Sequence, residues 1–396
     1  MKILFVSDTY FPHINGVYYF IHRLATRLQL QGHEVAVLAP SDSLAFTDKK
    51  IHGIRVFGIP SVSLLMYKTI RVPTPIALKA RVDMVFQLYK PDILHLQNHF
   101  AVNKAALSVN KKYRIPVIGT NHFMPENFTP FYSFLNMNKS IEKIMWASFS
   151  KVFNQLNMVT TPTETGAKLI RPKLNVKVLA ISNGIDLNEF NTVDIKDTIR
   201  TKYGIPEKPI LLYVGRLDPE KHIDEIIRAV AKIPGDDFCF VIAGKGTIRQ
   251  GLEKLTNKLG LDKKVIFTGF VSNEDLPQLY RISKCYVTAS VAELQSISTM
   301  EAMACGLPVI AADAGALGEL VHHGKNGFLF QPGNIESLAA FVNTIMHHDD
   351  LYRQMKSYSV QLIQSHNIKN SVSDFENLYQ SMLRVNINSG VLEEVA

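Results

Sequence analysis

Two carboxylates separated by seven residues, Glu293 and Glu301, mark the stretch of this 396-residue chain best suited to chemistry. They lie within SVAELQSISTMEAMACGLPVIAAD, Ser290 to Asp313, which opens at the end of an apolar run that begins at Cys285. A short polar loop then leads into a helical segment starting near Ser296 to Ser298. Gly306 followed by Leu-Pro is a helix exit signal, and the apolar run from Pro308 comes at once. Strand, loop, helix, strand makes one βαβ unit. An acid in the loop, backbone N–H groups at a helix start and a second acid inside the helix suit a phosphorylated, hydroxyl-rich ligand.

Other residues of matching chemistry follow apolar runs. After Ile210 to Val214 comes GRLDPEKHIDEII, where Arg216 and Lys221 flank an Asp218-Pro219 turn; two cations there can grip a diphosphate and neutralise a leaving group. Lys245 and Arg249, in GKGTIRQGLE, are weaker phosphate candidates, because a glycine-bracketed turn there equally describes a tight βα connection. Gly269, Phe270 and Val271 form an apolar ledge fit for a nucleobase face, or else an ordinary buried loop end. In the first half, the run Pro116 to Asn121 ends on His122, an imidazole that can hydrogen-bond at a reacting sugar, with Glu126 nearby in sequence.

Positioning these groups takes alternating strands and helices. Strand-length apolar runs occur at Lys2 to Asp8, Glu34 to Ala39, Ile54 to Ile59, Ile93 to Gln97, Pro116 to Asn121, Val159 to Pro162 and Val176 to Ile181, with helical patterns between most of them. A second series runs through 210–214, 238–243, 265–268, 285–289 and 308–311. Continuous apolar strands alternating with helices predict buried parallel sheets, and the count predicts two doubly wound domains in series. Asn15-Gly16 breaks the chain between the first strand and a helix whose apolar residues Val17, Phe20, Ile21, Leu24 and Leu28 recur at helical spacing. The full GxGxxG fingerprint is absent. The stretch from Asn183 to about Lys208 reads as the passage between domains, and a last helical pattern from about Asn367 to Leu383 is a candidate strap back onto the first domain.

Length agrees with two domains, and 46% hydrophobic with 20% charged residues supports a normal core. Cys239, Cys285 and Cys305 show no metal-like spacing and read as small buried hydrophobes of a reducing compartment, with neither a disulfide nor zinc. The opening residues lack the features of a secretory signal, and no apolar run reaches membrane-spanning length; a cytosolic location is expected. The net charge of +8 is uneven: residues 1–185 carry 22 Lys and Arg against 9 Asp and Glu, the remainder 21 against 26. A basic first half calls for an anionic partner, a membrane surface or nucleic acid, unless it is only a solvated surface. No nucleic-acid recognition motif is present, so nucleic acid is not expected.

Taken in order, SDTYFPHINGV, GHEVAVLAP, PDILHLQNH, Asn121-His122, ISNGID, VGRLDPEKH, FTGFV, and Glu293 and Glu301 followed by EAMACGLPVIA resemble the retaining nucleotide-sugar glycosyltransferases of family 4 from Met1 to roughly Glu336. The resemblance implies an α/β protein of GT-B architecture, two doubly wound Rossmann-like domains facing a central cleft: 1–185 on the acceptor side, for which 367–396 is the candidate strap, and 186–366 binding the nucleotide sugar. It implies that Gly16 lets its loop approach the donor diphosphate and that Arg216 and Lys221 hold it. Glu301 would bind the ribose, Glu293 the transferred sugar, and the amides from Gln295 through Ser296 and Ile297 to Ser298 would complete the cradle. His122 would face the sugar. Retention is pictured in this family as front-face transfer in which the leaving phosphate helps deprotonate the acceptor, with no metal or other cofactor required. Two positions depart from the family pattern: Asn15 stands where a second glycine is common, and Ser296 where glycine is common.

For the acceptor, SVSLLMYKTIRVPTPIALKARV and FTPFYSFLNMNKSIEKIMWASFSKVF mix cations with bulky apolar residues. They fit attachment to an anionic leaflet with Phe131, Phe134 and Trp146 as anchors, or core helices with snorkelling lysines. The first of them starts like bacterial glycolipid synthases, including diacylglycerol glucosyltransferases and phosphatidylinositol mannosyltransferases. The leading expectation is glucose transfer from UDP-glucose to a membrane lipid such as diacylglycerol by a cytoplasmic, peripheral enzyme. The alternatives are the same chemistry on a soluble acceptor, and a GT-B-like sugar-nucleotide epimerase.

Overall fold

The structure, a computed structural model, describes all residues except 13–14, 64–70, 125–137, 194–197 and 394–396, with the side chains of 138–139 and 385–393 also outside the description. The chain forms two compact units, the described residues of 1–183 with those of 369–396, and those of 184–368.

The first unit is built on ten strands: β1 (Lys2–Val6), β2 (Glu34–Pro40), β3 (Thr47–Ile51), β4 (Ile54–Ile59), β5 (Ser61–Ser63), β6 (Arg71–Pro73), β7 (Ile93–Leu96), β8 (Val117–Thr120), β9 (Met158–Thr161) and β10 (Val178–Ala180). Eight of them make one sheet, ordered β10-β9-β8-β7-β1-β2-β4-β3, parallel except where β3 runs against β4. Burial on both faces explains the unbroken apolar runs: in β7, Ile93, Leu94, His95 and Leu96 are all fully buried. The helices covering this sheet include α1 (Gly16–Leu30), α2 (Leu78–Tyr89), α3 (Ala101–Tyr113), α4 (Asn138–Phe153) and α5 (Glu164–Ile170). On α1, Phe20, Ile21, Leu24 and Leu28 are buried, the face that the helical spacing foretold.

The second unit adds α6 (Ile199–Tyr203), β11 (Ile210–Val214), α7 (Ile223–Ala231), β12 (Cys239–Ala243), α8 (Arg249–Lys258), β13 (Val265–Gly269), α9 (Leu276–Arg281), β14 (Cys285–Thr288), α10 (Ile297–Ala304), β15 (Val309–Ala312), α11 (Leu317–Leu320), β16 (Gly327–Phe330), α12 (Ile335–His347) and α13 (Asp349–Ile363). Its six strands are all parallel in the order β13-β12-β11-β14-β15-β16. The final helix, α14 (Ile368–Glu393), belongs to the first unit from residue 369 onward. Phe375 and Tyr379 are fully buried there, and Glu376 meets His33 at 3.0 Å.

Both sheets reverse their strand order once, between β1 and β7 and between β11 and β14. Loops leaving the carboxyl ends of these strand pairs splay apart, and such switch points are where doubly wound folds bind ligands. The segment 184–208, read from sequence as a passage, instead supplies Ile185, Phe190, Ile199 and Ile205 to the core of the second unit. The sequence reading also omits β3, the β5–β6 hairpin, β16, α12 and α13. Polar TDKKI in β3 and three-residue strands in the hairpin carry too little apolar periodicity to stand out.

Candidate functional site

The second unit's switch point joins the loop after β11 to the loop after β14. Lys221, closing a short 3-10 turn at Pro219–Lys221, donates from Nζ to Glu293 Oε1 at 2.7 Å and to Ser290 Oγ at 3.4 Å. The Lys221 and Glu293 side chains are only 16% and 17% exposed, so their attraction is screened far less than that of a surface pair. Glu293 is held from behind, its carbonyl accepting from Ala316 N at 2.9 Å. A Cβ on Gly315 would lie 2.7 Å from that carbonyl, and Gly315 has φ +56°, so glycine is required for the close approach.

Ser296 caps α10: its Oγ accepts from Thr299 N at 3.3 Å and from Thr299 Oγ1 at 2.8 Å. Its backbone (φ −80°, ψ 106°) is ordinary for any residue. Serine in place of glycine is therefore accommodated, with the hydroxyl turned onto the helix start. Helix geometry leaves the amides of Ile297 and Ser298 without intrahelical acceptors. The Ser298 hydroxyl pairs with Tyr286 Oη at 2.8 Å, and Gln295 is buried, its Nε2 3.4 Å from His366 Nδ1.

Glu301, one turn into α10, is 5% exposed and accepts a hydrogen bond from Tyr280 Oη at 3.1 Å. Burial, reinforced by the Glu301 charge, pushes the Tyr280 phenol well above its usual range, so it stays protonated and donates.

Arg216 is placed differently from Lys221. Its guanidinium is half exposed and engaged by the carboxylates of Asp218 and Glu220, the latter at 2.7 Å. Sequence pairs Arg216 with Lys221 as one diphosphate grip, whereas the structure splits them, Lys221 on Glu293 and Arg216 on its own loop's acids. The glycines of GKGTIR serve backbone packing. A Cβ on Gly244 would come within 1.8 Å of Gly215 O and one on Gly246 within 2.2 Å of Leu217 O, because the loop after β12 bonds to the loop after β11 through Gly215 N to Ala243 O and Leu217 N to Lys245 O. The expected ledge is narrower than its sequence suggests: Val271 is buried in the core, Gly269 turns the chain at φ +72°, and Phe270 alone offers an exposed ring, with Lys245 Nζ 5.7 Å from its centre.

Beside the first unit's switch point, Gln97 just beyond β7 and His122 just beyond β8 meet, His122 Nε2 lying 2.9 Å from Gln97 Oε1. The half-buried imidazole packs on Phe20 at 4.9 Å between ring centres. Burial pushes its pKa down to about 3, so it is neutral at physiological pH. Asn15 caps α1, accepting from Tyr18 N at 3.0 Å and donating to Thr9 Oγ1 at 3.2 Å, while a Cβ on Gly16 would meet nothing within 4 Å. The asparagine that departs from the family pattern is thus a helix cap, and the space at Gly16 is open. Gln97 and Ser290 are the site residues that sequence reading passes over. Both lie inside quoted motifs, but a buried glutamine and a strand-end serine carry no chemical signature of their own.

Of the expected membrane anchors, Phe131 and Phe134 lie outside the described residues, as does Glu126. Trp146 is committed to packing, edge-on to Phe123 at 5.3 Å and Phe149 at 5.4 Å with Lys173 Nζ 4.5 Å from the ring centre. The large apolar side chains that the first unit does expose include Ile76, Met84, Leu88 and Ile144. Among the described residues no helix is long and apolar enough to cross a membrane.

Family models match almost the whole chain in two pieces: Glycosyltransferase Family 4 over residues 14–189 and Glycosyl transferases group 1 over 195–361. An uncharacterized glycosyltransferase of Methanocaldococcus jannaschii is 30% identical over 87% of this chain and 89% of its own. An alpha-monoglucosyldiacylglycerol synthase of Streptococcus pneumoniae is 27% identical over 95% of this chain and 85% of its own. A sulfoquinovosyl transferase of Arabidopsis thaliana is 28% identical over 87% of this chain, which spans 66% of that longer protein. Among solved structures, Anabaena HepE in complex with UDP-glucose superposes with a TM-score of 0.79 at 20% identity, over 96% of this chain and all of that one, which places the fold as GT-B.

Proposed function

Because the chain belongs to family 4 of the glycosyltransferases and is a hexosyltransferase, we propose that it transfers glucose from UDP-glucose to the hydroxyl of a membrane lipid such as diacylglycerol, with retention at the anomeric carbon. The observation that carries the reading is the Lys221–Glu293 pair at the second unit's switch point, beside the open amides of α10. A cation and a carboxylate already in contact match the two halves of a nucleotide sugar. Lys221 passes to the diphosphate, and Glu293 is released to the hydroxyls of the sugar. Glu301, held by Tyr280, receives the ribose, and the exposed ring of Phe270 lies under the base.

In the reaction the bond between the anomeric carbon and the β-phosphate oxygen breaks, and its electron pair leaves with the phosphate. The acceptor oxygen bonds to the same carbon from the same face, and its proton passes to the departing phosphate oxygen. Lys221, and Arg216 once it leaves Asp218 and Glu220, stabilise the charge growing on that oxygen, a contribution of about 3 to 4 kcal/mol for one well-placed group. No step is assigned to a metal, since these two cations fill that role.

Two observations favour a lipid acceptor. The relative from S. pneumoniae is named for a glucosyldiacylglycerol product, and residues 1–185 carry a net charge of +13 with exposed Ile76, Met84, Leu88 and Ile144. Cation-rich surfaces with apolar side chains hold peripheral proteins on anionic leaflets. The test is incubation of the pure protein with UDP-glucose and vesicles containing diacylglycerol and anionic phospholipid, followed by lipid extraction. A glucolipid with α linkage is expected. Failure to form a glycolipid from any common sugar nucleotide, with transfer to a soluble sugar or polyol instead, overturns the acceptor assignment.

A further inference from the structure

The amino end of the first unit's sheet carries a pocket of about 680 Å³, within the range of about 300 to 1,000 Å³ that holds small-molecule ligands. It sits where β8 and β9 begin, so the length of β8 separates it from His122, and all its lining residues belong to the first unit. The floor is apolar, made by Val117 and Met158 at the strand starts, Leu107 of α3 and Met382 of α14. The mouth is cationic. Lys111 stands in the last turn of α3 with no partner among the described residues, whereas its neighbour Lys112 is spent on Asp83 at 3.3 Å. Arg114 follows the helix at φ +53°, in a loop that the buried Asn110 closes by donating from Nδ2 to Ile115 O at 2.7 Å and accepting from Ile115 N at 3.0 Å.

Charge and donor balance select the ligand. No Asp or Glu lines the pocket, and the carbonyl end of α3 supplies only about half a negative charge against its two cations. Asn157 Oδ1 accepts from Val117 N at 2.8 Å, which leaves its Nδ2 as a further donor, while Ser381 has its one proton on Leu378 O at 2.7 Å. We propose that this pocket binds an amphiphilic anion, a single alkyl chain ending in a phosphate or carboxylate. The head is held by Lys111 and Arg114, whose N–H groups make charge-assisted bonds to such oxygens, and the chain lies along Val117, Met158 and Met382. Because Met382 belongs to α14 and Val117 to β8, the bound chain joins the last helix to the sheet. No residue of the transfer site takes part, so occupancy is independent of the donor.

The test is calorimetric titration of the full chain, without donor, with butyl, hexyl and octyl phosphate below their micelle concentrations, and with octanol and inorganic phosphate. Octyl phosphate should bind, each added methylene tightening the complex about three- to fourfold. Octanol, which lacks the anion, and inorganic phosphate, which lacks the chain, should each bind at least about tenfold more weakly. Lys111→Glu should weaken octyl phosphate by about tenfold or more while Tm moves by less than about 4 °C. Ser381→Trp, at an exposed position of the mouth, should block the chain, and hydrogen exchange over residues 378–384 of the wild type should slow on binding. Vesicles containing phosphatidic acid distinguish the source of the anion: weaker pelleting of Lys111→Glu marks a bilayer lipid and equal pelleting a free amphiphile, and both agree with a filled pocket. Equal binding of octanol and octyl phosphate, affinity that does not change with chain length, or undiminished binding by Lys111→Glu and Ser381→Trp overturns the proposal.

Discussion

Replacing Glu293 by leucine should destabilise the second unit, and adding Lys221→Met should restore most of that stability without restoring transfer. The two charges approach to 2.7 Å with side chains about five-sixths buried. At an effective dielectric near 20, unit charges this close attract by roughly 6 kcal/mol before desolvation is subtracted. Breaking a fully buried pair costs about 3 to 5 kcal/mol and an exposed one about 0.2 to 1, because only the buried cation is left without water. Lys221 in Glu293→Leu keeps Ser290 and some solvent, so a loss of about 2 to 3 kcal/mol is expected. For a unit of this size that is a fall of about 4 to 12 °C in Tm. In the double variant no charge is stranded, and two apolar side chains in the same largely buried space should return stability to within about 1 kcal/mol of wild type. Transfer should remain down by about 100-fold or more, since Lys221 is the group proposed to meet the departing phosphate. Thermal melts followed at the second unit, together with a radiolabelled glucose transfer assay, read both quantities. Equal stability of Glu293→Leu and wild type, or transfer by the double variant within about threefold of wild type, would refute the reasoning.

Three further outcomes are expected. Glu301→Ala strands the buried Tyr280 hydroxyl, so it should cost about 1 to 3 kcal/mol and raise the donor KM more than it lowers kcat, read by denaturant melts and steady-state kinetics. Gly244→Ala places a Cβ 1.8 Å from Gly215 O at φ +153°, so the loop after β11 must move; a stability loss above about 2 kcal/mol and weakened UDP binding by calorimetry should follow, whereas Gly16→Ala, with open space around it, should leave stability within about 1 kcal/mol. Burial lowers the pKa of His99 to about 4 and that of His122 to about 3. The unfolded chain takes up these protons near the ordinary histidine value while the folded chain does not. The first unit therefore keeps this stability above pH ~6.5 and loses it as pH falls toward ~4, by at most about 1.4 kcal/mol per pH unit for each histidine. Urea melts across that window check the slope, and His99→Phe should flatten it.

Much of this molecule is legible before folding. The strands of both sheets announce themselves as apolar runs because a parallel strand covered on both faces has no solvent side to encode. Ile210–Val214 is the clearest case, matching from sequence to structure residue for residue. Edge and antiparallel strands are half solvated, which is why Thr47–Ile51 reads as an ordinary polar loop. Site residues are legible in kind when their charge is out of place beside an apolar run, as with Lys221, Glu293 and Glu301.

Their partnerships are another matter. Arg216 and Lys221 are five positions apart in one loop, yet the turn at Pro219–Lys221 sends one to Glu220 and the other across the switch point to Glu293. Gln97 and His122 sit at the ends of neighbouring strands, and their contact exists because β7 and β8 pair in register, Leu94 beside Val117 and Leu96 beside Gly119. Hydrophobic periodicity and residue chemistry, which are local, settle the strands, the helices and the list of reactive groups. Strand order and register, which join residues far apart in the chain, decide which of those groups touch, and so which carboxylate holds the lysine.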